Sequence, residues 1–96
     1  MKNDLPADWL LLSSESATLF EGELRRELCE AHVLYGVQVQ AVARRKGRDD
    51  FLFRVPDRSF AQVHLTWNYE PSPNWPSTEV FPTLGAWKQW LIEDDE

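Results

Sequence analysis

Three features of this 96-residue chain predict an α+β fold. One stretch carries apolar residues at helical spacing. The next alternates with a period of two. A proline-rich segment then separates it from a second stretch at helical spacing. The predicted architecture is a three-stranded antiparallel meander with two helices packed on one face, in the order α-β-β-β-α, with a long Pro-rich loop before the last helix. Residues 1–96 are expected to form a single domain, the usual outcome at this length.

The N-terminal arm, 1–16, contains Trp9-Leu10-Leu11-Leu12. Four consecutive apolar residues pack against something, as an extended arm or a short strand. The first helix is predicted over 17–32. Thr18 and Glu21 fit a capping box, with Ser14 or Ser16 as alternative caps. Ala17, Phe20, Leu24, Leu28 and Ala31 recur at spacings of three and four and so share one face. Gly36 follows, and the period changes.

The sheet is predicted over 37–67. Val37, Val39, Ala41 and Ala43 alternate with more polar neighbours, as do Phe51, Phe53 and Val55, then Ala61, Val63, Leu65 and Trp67. Gly47 supplies positive φ in the first turn, and Pro56-Asp57-Arg58 makes the second. Pairing Ala43 with Phe51 also pairs Ala41 with Phe53 and Val39 with Val55, so small residues oppose large ones. The same register sets Arg44 opposite Asp50, Val42 opposite Leu52 and Gln40 opposite Arg54 on the other face.

Residues 68–82 hold four prolines, which exclude a helix or a central strand. Helix 83–93 is predicted from Thr83 as cap and Leu84, Trp87 and Leu91 as apolar face. The acidic tail, 94–96, is expected to fray against the helix dipole. Trp67 and Trp87 are the expected core tryptophans; Trp75 and Trp90 are expected to be half exposed.

Composition narrows the function. The chain is 43% hydrophobic with a formal net charge of −6, and no apolar run is long enough to span a membrane. The apolar run near the start is too short for a signal peptide, so a cytoplasmic location is expected. A single cysteine excludes an internal disulfide framework. No cofactor motif and no metal site are read from the residues. Eight bases between Arg25 and Arg58 stand against five acids, so the middle is basic and the ends acidic. The turn Arg44-Arg45-Lys46-Gly47-Arg48 could meet phosphates, but Asp49 and Asp50 offset half of its charge, so nucleic acid is disfavoured as a partner.

At the third strand the sequence Val63-His64-Leu65-Thr66-Trp67, followed by Trp75-Pro76-Ser77-Thr78, Phe81 and Trp87, resembles the pattern of a group of short bacterial proteins of unassigned function. The segments Glu23-Leu24-Arg25-Arg26-Glu27-Leu28 and Leu34-Tyr35-Gly36 resemble the first half of such proteins. The resemblance covers most of residues 19–90. It implies a bacterial origin and a shared fold, and no catalytic residue, cofactor or partner.

His64 is the one weak candidate for catalysis. Alternation turns it away from the buried face, near Asp50 or Leu52 according to the length of the Pro56 turn. A carboxylate beside it would orient it as a base. A surface hydrogen bond is the commoner explanation, and no nucleophile accompanies the pair. Cys29 and His32, three apart near the end of the first helix, offer two ligands where zinc needs three or four. Neighbouring Arg25 and Arg26 could activate the thiol, though a packed lone thiol is the simpler case.

The second sheet face, with Val42, Leu52, Arg54, Gln62, His64 and Thr66, is expected to be open and semi-polar, unless the N-terminal arm covers it or adds a strand to an edge. Either these residues or the Trp75 loop, with Trp90 as a further half-exposed aromatic, form the predicted binding surface for a protein partner or a second copy of the chain. A lid over the core is the competing role for Trp75. A small enzyme or small-ligand binder with His64 beside a pocket is the alternative function.

Overall fold

The computed structural model describes residues 5–94. The elements are β1 (Trp9–Leu11), α1 (Ser14–Glu27), β2 (Gln40–Arg45), β3 (Asp50–Arg54), β4 (Phe60–His64), β5 (Ser77–Phe81) and α2 (Leu84–Asp94). All strand pairs are antiparallel and the spatial order is β1-β2-β3-β4-β5. The α+β class and the central β2-β3-β4 meander agree with the sequence. The strand count does not: the sheet has five strands rather than three.

Both added strands lie at edges. β1 is the short Trp9 segment, which joins β2 with Leu11 opposite Ala43. β5 fits between Pro76 and Pro82 and contains neither. The prolines of 68–82 exclude a central strand but leave room for a five-residue edge strand.

α1 starts earlier than capping at Thr18 predicts. Ser13 is the N-cap, its hydroxyl accepting from the Ser16 amide, and the Thr18 hydroxyl instead donates to the Ser14 carbonyl. The helix also ends earlier, at Glu27, because Leu28 is extended. Cys29 and His32 therefore lie in the following loop and not on the helix. α2 runs through Asp94; the last two residues of the expected acidic tail lie outside the described residues, as do the first four of the arm.

The two helices cover opposite faces of the sheet. Leu24 and Leu28 pack with Ala41, Phe51, Phe53, Ala61 and Val63 on one face. Trp87 of α2 packs with Trp9, Ala43, Leu52 and Phe81 on the other. Placement of both helices on one face is thus corrected, and the predicted open face is covered. The reason lies in β3. Phe51, Leu52 and Phe53 are all fully buried. Three consecutive apolar residues mark a strand buried on both sides, not one with a wet face.

The β2–β3 register holds at one end and shifts at the other. Gln40 faces Arg54 and Ala41 faces Phe53, as the alternation predicts. A bulge between Ala41 and Ala43 then sets Ala43 opposite Leu52 and Arg44 opposite Phe51. The extra residue moves Ala43 to the α2 face, where its small side chain leaves space for Trp9 and Trp87. Arg44 takes the α1 face, its guanidinium 5.4 Å from the Phe20 ring centre and 5.2 Å from that of Phe51.

Candidate functional site

Exposed aromatics lie on the loop 65–76 at one end of the sheet and on the segment 28–35, which His32 ties to that loop. Tyr69 is 63% exposed, Tyr35 49%, Trp75 48% and Trp67 45%, with Val33 at 67% beside them. Trp67 is thus not a core residue. Its positive φ of 63° turns it off the end of β4, and its ring rests edge-on against Phe20 and Phe51. Trp75 does not close over the core either; the neighbouring Pro76 is the buried residue.

Two buried polar groups hold these loops. Glu27, with no exposed surface, sits at the C-terminal end of α1. Its carboxylate accepts from the Thr66 amide at 2.9 Å, the Thr66 hydroxyl at 3.2 Å and the Trp67 amide at 2.7 Å. Its backbone carbonyl accepts from the Glu70 amide. Burial pushes its pKa from 4.5 up to about 7, helped by a hydrogen bond with Glu23 and that residue's charge, while the Thr66 and Trp67 amides pull the other way. Glu23 in turn pairs with Arg26.

His32 is the second brace. Its Nδ1 accepts from the Leu34 amide at 3.0 Å, which leaves Nε2 to donate to the Pro76 carbonyl at 3.0 Å. The Thr78 hydroxyl lies 3.3 Å from Nε2 and donates to the same carbonyl. Val33 follows His32, Trp75 precedes Pro76, and Tyr69 precedes Glu70. These bonds therefore hold the backbone next to the exposed side chains.

The other candidate residues scatter. His64 faces Asp50 across β3–β4, and its Nδ1 lies 2.7 Å from the carboxylate. This resolves the choice between Asp50 and Leu52. The pair is largely solvated on the histidine side, at 52% side-chain exposure. Leu52 is fully buried and so is no contact residue. Val42 and Trp90 pack against the α2 core, Trp90 on the ring of Phe81. The Gln62 amide oxygen accepts from the Trp87 indole at 2.7 Å. Thr66 belongs to the Glu27 brace. Arg54 is exposed at the opposite end of the sheet. Cys29 is buried and free.

Half of the basic turn is neutralised: Arg44 pairs with Asp49 and Arg45 with Asp8, while Lys46 and Arg48 stay exposed. Two depressions at the opposite end, of about 500 and 390 Å³, are lined by neither His64 nor Trp75. Among the described residues no three His, Cys, Asp or Glu side chains converge as a metal site, and no helix is long and apolar enough to cross a membrane.

Sequence reasoning missed Glu27 and Tyr69, and weighed His32 only as a potential metal ligand beside Cys29, not as a brace. The one available signal was an acid at a position of α1 adjoining the apolar face, next to Leu24 and Leu28; nothing in the sequence announces that it reaches Thr66. Compared with family models, curated proteins and solved structures, the chain matches none.

Proposed function

We propose that this chain is a bacterial, cytoplasmic interaction module that binds a peptide segment of a protein partner with the aromatic surface formed by the segments 28–35 and 65–76. One observation carries the reading: large aromatic side chains about half exposed on loops that are themselves pinned by buried polar bonds. Tyr and Trp offer large contact area at low entropic cost, and pinned loops lower the ordering cost of association. Exposed Lys46 and Arg48 lie at the same end, where the Asp49 carbonyl accepts from the Leu65 amide. They favour a segment with apolar anchors and acidic flanks. The residues that carry the bacterial resemblance, among them Glu27, Thr66, Trp67, Trp75, Pro76 and Thr78, fall here, and membership of that group is part of the proposal.

Selection from a displayed random-peptide library tests this. Peptides recovered on the wild-type chain should be rich in apolar and acidic residues. They should shift amide resonances in 33–35 and 67–75 and lose at least tenfold in affinity to the Tyr69→Ser/Trp75→Ser variant. Selected peptides that bind that variant equally well, or map to another surface, would remove the proposal.

A further inference from the structure

At the end of the sheet away from the aromatic loops lies a half-open groove of about 500 Å³, bordered by Ala17 and Glu21 of α1 and by Leu84 of α2. Its apolar wall comes from four elements and the N-terminal segment: Leu5, Leu11, Leu12, Val42, Phe60 and Leu84. That volume falls in the range of small-molecule sites, and such sites pair an apolar wall with few polar groups.

Polar groups flank the groove on two sides, Ser14, Thr18 and Glu21 from α1 and Gln40 and Arg54 from the sheet. Gln40 and Arg54, direct partners across β2–β3, line both the groove and the adjoining recess of about 390 Å³. Gln38 lines the recess beyond them. Arg54 pairs with no carboxylate among the described residues, unlike Arg26, Arg44 and Arg45. A cation without a counter-ion thus stands where an apolar trough opens into an amide-lined recess. Glu21 also lines the trough, but one of its oxygens is occupied by the Ala41 amide at 2.9 Å. Its charge favours a singly charged head over a doubly charged one.

We infer that this groove binds a free single-chain carboxylate, with the alkyl chain along Leu11, Leu12, Phe60 and Leu84 and the head on Arg54 between Gln38 and Gln40. The inference is independent of the peptide surface at the other end. Chain burial should strengthen binding by up to about fourfold per added methylene. The head contributes through a charge-assisted, solvent-facing contact, so its loss should weaken binding roughly fivefold.

The test is titration of the isotopically labelled full chain with monomeric hexanoate, octanoate and decanoate. Saturable shifts at Ala41, Val42, Arg54 and Phe60, tightening with chain length, are expected. Arg54→Gln should bind decanoate about fivefold more weakly while its unbound spectrum stays native away from the substitution, and decylamine should bind more weakly than decanoate. Absence of saturable shifts, equal binding of decylamine, or undiminished binding by Arg54→Gln would overturn the inference. So would retention on phosphatidylglycerol vesicles without any response to monomeric decanoate, since the anion would then be a membrane surface.

Discussion

At the scale of single residues, Glu27 ties the candidate surface to the core, and its chemistry is testable by pH. Its pKa is raised in the fold, from 4.5 to about 7, so the folded chain holds the proton more tightly than the unfolded one. Its contribution to stability is therefore fully present below pH 4.5 and is lost as pH rises toward 7, by at most about 3 kcal/mol. Urea midpoints should fall across that window, and Glu27→Gln should flatten the slope. Glu27→Ala should cost roughly 2–4 kcal/mol at pH 5, because two amides lose their buried acceptor. His64 contrasts with it. As a solvated partner of Asp50, His64→Ala should cost under about 1 kcal/mol. A loss as large as that of Glu27→Ala would show that the pair is structural after all.

At the scale of elements, the edges of the sheet carry the next expectations. β5 is an outer strand, and its central Glu79 is exposed. Two copies pairing antiparallel about that position would set Glu79 against Glu79, which like charges oppose. Glu79→Thr should therefore produce a sedimenting dimer at concentrations where the wild-type chain shows none through this edge; a strictly monomeric variant would mean that something else guards β5. α2 depends on Trp87, fully buried with its indole donating to Gln62. Trp87→Phe leaves that amide oxygen without its donor and opens space, and should cost roughly 2–3 kcal/mol in chemical denaturation.

At the scale of the molecule, one sheet serves two cores. Phe51 and Phe53 belong to the α1 side and Leu52 to the α2 side, so loss of either layer exposes the same strand. Unfolding followed by fluorescence and by far-ultraviolet dichroism should coincide in one transition. A chain truncated after Phe81 should bind a hydrophobic dye and lose sharp amide resonances, since Trp9, Ala43 and Leu52 lose their cover. A truncated chain with a native spectrum would show that the α1 core stands alone.

The periodicities were legible where each element follows one local rule. Alternation across β2, β3 and β4, the positive φ of Gly47, and the pairing of Ala41 with Phe53 and Gln40 with Arg54 were all written in short-range spacing. So was the Asp50–His64 juxtaposition, once the turn length was known. The face occupied by α2, the bulge after Ala41 and the reach of Glu27 to Thr66 and His32 to Pro76 depend on contacts between residues far apart in the chain. By itself the sequence determined which segments extend or coil, because that follows from dihedral preference and apolar spacing over a few neighbours. Only the tertiary structure decided which surface stays wet, because burial is set by what the rest of the chain brings to each face.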